Sequence, residues 1–282
     1  MKFYLSNGLP FWVAFLLPLI VMSVFGQSAQ DKVEKTTHNF QTGGNLTIKS
    51  YRGSLQLTSW DRNEVEVVAR ISAPHEVSDD YALRAINATR IEIRGSDRSL
   101  DIQSNYDDVP EGDGKGPRSR TLPHVHFEIR APRSISLNIK ADISKIDFHG
   151  FEGKIALDTD RTNIKGSDLA GEVRLHMDRG DASLSDVKGK VDMQNDRGEI
   201  SLDRVSISND SRLKTNRGQI SLKLSDAQGL SLKGRVAEMD YFHSDLPIQM
   251  RTLRGKRIEG TINGGGPELY FKAERGRIHL KQ

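Results

Sequence analysis

The chain has no cysteine. That excludes disulfides, thiol catalysis, cysteine-based zinc sites and a lipid anchor on cysteine. Aromatic residues are scarce, at 6%, and none recur at a spacing that would stack nucleic-acid bases. Neither charge is in excess: 41 basic side chains face 38 acidic ones, for a net of +3. So even a mixture argues against nucleic acid as a partner, despite a sequence pI near 9.0. Apolar residues make up 36%, which is low for a globular enzyme and suits a thin structure with much exposed surface.

Long hydrophobic runs are also missing, with one exception. Residues 11–25, FWVAFLLPLIVMSVF, are uninterrupted; Lys2 is the only charge before Asp31, and the small residues Gly26, Ser28 and Ala29 follow. This pattern describes a secretory signal peptide over 1–29, cleaved between Gly26 and Gln30, because the run falls short of the roughly twenty residues a membrane span needs. Retained uncleaved, residues 9–26 would instead anchor the chain in a membrane. Either way the remainder, 30–282, is expected to be exported to the periplasm or the cell surface.

What the sequence does contain is a repeat. DRGDASL at 178–184 returns as DRGEISL at 196–202 and NRGQISL at 216–222, and ERGRIHL at 274–280 comes about three periods later, near the chain end. Going backward by eighteen, Arg161 in DRTNIKG and Ile143 in DISKIDF hold the same place, and YRGSLQL at 51–57 is an early outlying copy. The apolar positions align as well. Ile155, Val173 and Val191 form one column; Leu157, Leu175, Met193 and Leu213 a second; Ile164, Ala182, Ile200 and Ile220 a third; Leu169, Val187 and Val205 a fourth. Within each unit apolar and polar residues alternate, as in EVRLHM, which is strand periodicity. Short strands at a fixed period of 18–20 residues predict an all-β, single-domain parallel β-solenoid (β-helix), one coil per repeat, with coils about 4.8 Å apart. An antiparallel sandwich also has short strands and frequent turns, but it does not require columns at a fixed period.

The repeated corner has a structural meaning. Gly180, Gly198, Gly218 and Gly276 supply the positive φ or the space of a tight turn, and Asp160, Asp178, Asp196 and Asn216 precede it, where short polar side chains can bond to backbone N–H groups. Arg161, Arg179, Arg197, Arg217 and Arg275 then read as solvated corner residues. The sharper alternative is a basic ladder for a polyanion such as an acidic glycan, with Asp178, Asp181, Asp196 and Glu199 cancelling much of its field.

The rest of the chain completes one domain without a linker. Residues 43–73 alternate as three strands, SDDYALRAINATRIEIRG is the only helix pattern and starts at Ser78, and 99–104 is another strand. Residues 105–120, rich in Gly, Pro and charge, read as a mobile loop. The solenoid is thus expected to carry an irregular N-terminal part with one short helix. Strands resume at His124 and run to the end.

No catalytic or metal centre is legible. Asp107, Asp108, Glu111 and Asp113 match no calcium loop. His124 and His126 share one face of a strand but lack a third ligand. Ser183, Ser201 and Ser221 form an outward polar column with no companion base. Asn263-Gly-Gly-Gly-Pro opens no helix and reads as a turn before the last coil. No cofactor is expected.

The stretch from His124 to Val191, with its strand ending in Ala131-Pro132-Arg133 and the units that follow, and the close INGGGPELYFKAERGRIHL resemble the exported bacterial β-strand-repeat proteins that carry the label "putative adhesin", a domain of unknown function. The resemblance covers about 43–282. It implies a β-solenoid at the cell envelope, with an unknown envelope or surface ligand, glycan or protein, and it carries no catalytic residues. The arginines in the corners depart from that pattern, since a smaller residue would serve the turn as well. The expectation is a non-enzymatic binding or scaffolding protein. Its alternatives are a polysaccharide-acting β-helix enzyme and a membrane-anchored partner in envelope signalling.

Overall fold

The computed structural model describes residues 31–73, 77–111, 121–225, 228–254 and 256–281. The expected signal peptide or anchor, 1–29, lies outside the described residues, as do 112–120 of the expected loop.

The described strands form one hydrogen-bonded sheet. It begins with β1 (Lys32–Asn39), β2 (Asn45–Trp60) and β3 (Glu64–Ser72), then the helix α1 (Asp79–Ala88), and then β4 (Arg90–Gly95) and β5 (Ser99–Asn105). The stacked centre is β6 (His124–Pro132), β7 (Ser136–His149), β8 (Glu152–Arg179), β9 (Ala182–Arg197), β10 (Ile200–Ile207), β11 (Ser211–Arg217) and β12 (Gln219–Leu224). The chain closes with β13 (Leu230–Val236), β14 (Phe242–Ser244), β15 (Gln249–Arg254), β16 (Arg257–Ile262), β17 (Glu268–Ala273) and β18 (Arg277–Lys281).

In the centre, parallel neighbours pair at the step that the repeat has in sequence. Leu137 pairs with Ile155 and Ile164 with Ala182, eighteen residues on. The step lengthens to twenty where Met193 meets Leu213 and Ile200 meets Ile220. Side chains of one column therefore lie on one another, and Ile155, Val173, Val191, Leu175, Met193, Ile200 and Ile220 are all buried in one continuous core. The columns also trade volume. Gly166 sits between Phe148 and Leu184, and a Cβ there would lie 2.6 Å from the Phe148 ring and 2.7 Å from a Leu184 methyl. The large ring is accommodated because its neighbour has no side chain.

Three corners turn the chain within each layer. At the first, Gly180, Gly198 and Gly218 have φ of 116°, 127° and 156°. At the second, Gly150, Asp168, Asp186 and Arg204 all take positive φ. At the third, Gly153, Gly171 and Gly189 do so, and a Cβ on Gly189 would lie 1.9 Å from the Gly171 carbonyl oxygen. The capping side chains at the first corner differ from expectation. Asn163 and Asp181, after the glycine position, accept the backbone N–H of Asp181 and Glu199, and the buried Asn195 accepts that of Arg197 while donating to the Gly180 carbonyl. Asp160 instead pairs with Arg161.

The two ends depart from simple stacking. β17 and β18 do not follow β13 and β14 in space. They lie between β11/β12 on one side and β13/β14 on the other, parallel to both. Beyond β13 come β16 and β15, each antiparallel to its neighbour. ERGRIHL, about three periods beyond NRGQISL in sequence, is thus its direct neighbour in space: the last coil is a returned strand, and Asn263–Pro267 is the connection that brings it back. The N-terminal end uses the same device. β2 sits between β7 and the β5/β6 layer, parallel to each, and β4, β3 and β1 cover that layer in antiparallel pairs. Antiparallel strands thus cover β5, β6 and β13, while β14 pairs only with β18, in parallel, among the described residues. Lys32 and Lys35 on β1 discourage pairing with another chain.

The helix starts where expected. Ser78 caps it by accepting the Tyr81 N–H, and Tyr81 and Ala85 pack with Val109 and Leu122 in a small second core. The described part of the expected loop is held by these contacts: the Tyr81 hydroxyl donates to the Pro110 carbonyl, and Arg90 pairs with Asp108.

Candidate binding surface

The five arginines of the corner come together as one row. Arg179 pairs in register with Arg197, and Arg197 with Arg217. A Cβ on Gly180 would lie 2.0 Å from the Thr162 carbonyl oxygen, which puts Arg179 over Arg161; the same contact between Gly276 and Gly218 puts Arg275 over Arg217. At the other end Ile143 pairs with both Arg161 and Arg52. The outlying copy at 51–57 thus belongs to the same row, with Ile143 as its one apolar member.

Arg161, Arg179, Arg197, Arg217 and Arg275 are all exposed. Arg161 pairs with Asp160 at 3.3 Å, and the other four make no ion pair among the described residues. Two of their acidic neighbours are engaged elsewhere. Asp181 accepts the Glu199 amide, and Glu274 takes the Lys272 ammonium at 2.6 Å, which holds its carboxyl below the usual range. An acidic row, Asp142, Asp160, Asp178, Asp196 and Glu274, runs beside the arginines one position earlier. Burial pushes the Asp142 carboxyl up, Asp160 adds to the rise, and Arg161 opposes it. Such a double row has little long-range field. Its guanidinium forks remain free to make short-range, bidentate contacts with carboxylate, sulfate or phosphate.

The remaining candidates resolve individually. His126 is satisfied by serines, with Nδ1 2.9 Å from Ser54 Oγ and Nε2 3.4 Å from Ser72 Oγ. The structure brings no third ligand to it and His124 among the described residues. Asp107 and Asp108 are tied to Asn105 and Arg90, and Asp113 lies outside the described residues. Ser183, Ser201 and Ser221 do form a row, but Ser221, expected to face outward in the open, is covered and only 2% exposed. It lies between Ser201 and His279, where the returned strand closes over it. Sequence reasoning passed over one grouping: His243, Asp245 and His279. The available signal was the His-x-Asp spacing at 243–245, which places both side chains on one face of a strand.

Residues 23–281 match the Toastrack family, DUF4097. The chain belongs to that family. Among solved structures it resembles a putative cell adhesion protein from Clostridium sporogenes, at 11% identity and a TM-score of 0.36, over 89% of this chain and 98% of that one. A putative adhesin from Bacteroides fragilis matches with the same identity and TM-score over 89% and 96%, and one from Parabacteroides merdae at 8% and 0.33 over 90% and 97%. No curated protein matches. The family supports an all-β, solenoid-like fold, and it assigns no reaction.

Proposed function

We propose that this Toastrack protein is an exported, non-enzymatic component of the cell envelope. It is a continuous parallel β-solenoid with coils of 18–20 residues, and it acts as an adhesin-like binding or scaffolding surface. Its contact row is Arg161, Arg179, Arg197, Arg217 and Arg275, and its ligand is an anionic surface polymer such as an acidic glycan. The observation that carries this reading is the register of the row, with four exposed guanidiniums unpaired among the described residues. Successive layers lie about 4.8 Å apart, so the row offers repeated bidentate donors to a polymer whose anionic groups also repeat.

The state of the carboxyls supports the non-enzymatic reading. A glycosidase needs a pair of carboxylates in a cleft, one of them held protonated. Here Asp142, the carboxyl with an upward shift among the described residues, sits exposed on the corner, and Glu172, in a surface depression, is tied to Arg174 and Lys190. Export rests on the N-terminal segment. N-terminal sequencing of the protein from its host should find a start between Gly26 and Gln30; retention of Met1 or Lys2 would favour an anchor.

The binding test replaces Arg179, Arg197 and Arg217 together with serine. The expected result is loss of retention on immobilised acidic glycan and on envelope fractions, with the melting temperature unchanged. A folded triple variant that is retained like the parent removes the arginine row from the binding surface and leaves it as corner structure.

A further inference from the structure

We infer that His243, Asp245 and His279 form a binding site for a borderline divalent transition metal, zinc foremost, that clips the returned strand β18 to the terminal layer. His243 on β14 pairs in register with His279 on β18, and their rings lie 4.8 Å apart, edge to face. Asp245 lies between them. Its Oδ1 is 3.1 Å from His243 Nε2, and its Oδ2 is 3.0 Å from His279 Nε2. All three ligand atoms fall within 4.8 Å of one another. A tetrahedral zinc with bonds of about 2.0–2.1 Å holds its ligand atoms about 3.3 Å apart, so closing this site needs shifts of about an ångström, which the exposed His243 and Asp245 can supply around the half-buried His279.

The backbone fixes the three residues independently of their own contacts. Asp245 donates its backbone N–H to the Leu280 carbonyl at 2.9 Å, which ties it to the strand that carries His279. The Ser244 hydroxyl bonds both the N–H and the carbonyl of Leu246, which sets the turn around Asp245. Phe242, next to His243, stacks on Phe271 with ring centroids 5.4 Å apart and planes 4° from parallel. Gly234 makes room for that stack, since a Cβ there would meet the Phe271 ring at 1.9 Å. Two imidazoles and one carboxylate select zinc, cobalt, nickel or copper over calcium or magnesium, which prefer oxygen ligands throughout. The fourth position opens to solvent. The metal would bind the Nε2 lone pair of each neutral imidazole, with the one ring proton carried on Nδ1, so a proton is released only from imidazolium.

The site joins segments that the sequence separates widely, so a bound ion would stabilise the slot that holds the C-terminal strand. The test uses the purified protein without a histidine tag, titrated with zinc by calorimetry and with cobalt by visible absorption. The expected result is one equivalent per chain, a tetrahedral cobalt spectrum and a melting temperature that rises with zinc and returns with chelator. His279→Gln and His243→Ala should each weaken binding by more than about tenfold. His124→Gln combined with His126→Gln should leave it unchanged. If the parent binds no stoichiometric zinc, or if His279→Gln and His243→Ala bind as the parent does, the site does not exist. The exposed His243 makes its variant safe for folding, so a loss there reports ligation.

Discussion

Gly276 lies directly over Gly218, although the chain runs out to β16 and back between them: a Cβ on Gly276 would sit 1.9 Å from the Gly218 carbonyl oxygen. Its φ is not in the positive region, unlike those of Gly180, Gly198 and Gly218, so here glycine is required by close approach alone. The contact shows the returned strand seated in a slot that the chain has already built on both sides. A protein ending before Glu268 would lose Leu269, Phe271, Ile278 and Leu280, all buried. At roughly 1.5–3 kcal/mol each, that is about 6–12 kcal/mol, comparable with the whole stability of a domain. It would also bare two parallel edges. The truncated protein should lose its cooperative melt and scatter light; a monomeric truncation with an intact melt would show the slot to be dispensable.

Adjacent residues on one strand should behave oppositely. Leu175 is buried in the column with Met193 and Leu213, while His176 faces solvent. Leu175→Asp places an uncompensated charge in the stacked core and should cost several kcal/mol. His176→Asp should stay within about 0.5 kcal/mol. Equal shifts in denaturant midpoint for the two variants would overturn the inward assignment of this column.

The corner separates in the same way. Gly198 combines φ of 127° with a Cβ position 2.0 Å from the Gly180 carbonyl oxygen. Gly198→Val therefore meets both a forbidden conformation and a backbone clash, and should destabilise by about 2 kcal/mol or more. Arg197→Ser removes an exposed side chain with no ion pair among the described residues, and should remain within about 0.5 kcal/mol. Chemical denaturation of the two variants checks both values.

The core columns from Ile143 onward were legible because sequence period and spatial register are the same number there: stepping eighteen residues along the chain is stepping one layer up. Arg275 was legible as a member of the ladder but not as the direct neighbour of Arg217, and Arg52 was legible only as an outlying copy of the motif. Their layers are filled from the chain ends, and a strand inserted from a distance leaves no period to read. His243, Asp245 and His279 were hidden for the same reason, since only the placement of β18 beside β14 joins them. The covered state of Ser221 depends on that insertion too. The acids before the corner were misread for a local reason. Asp160, Asp178 and Asp196 have the side-chain length to cap, but the N–H groups after the glycine are taken by Asn163 and Asp181 from the neighbouring layer, and that of Arg197 by the buried Asn195.

Acid should loosen the N-terminal end first. His126 on β6 and His38 on β1 flank β3, and burial lowers both imidazole pKa values; for His126, Asp31 opposes the shift and Arg70 adds to it. The unfolded chain takes up these protons near pH 6.5, and the native chain does so only at lower pH. Below that value the unfolded state binds more protons than the native state, so stability is complete above about pH 6.5 and is lost progressively as the pH falls through the lowered native values. The melting temperature should therefore drop between about pH 7.5 and pH 5.5. Gln at 126 keeps a side chain able to bond Ser54 and Ser72 but cannot take up a proton. His126→Gln should flatten the drop, and adding His38→Gln should flatten it further. If the double variant loses as much as the parent over the same interval, the acid sensitivity lies outside this pair, and the two histidines are not what couples the N-terminal strands to pH.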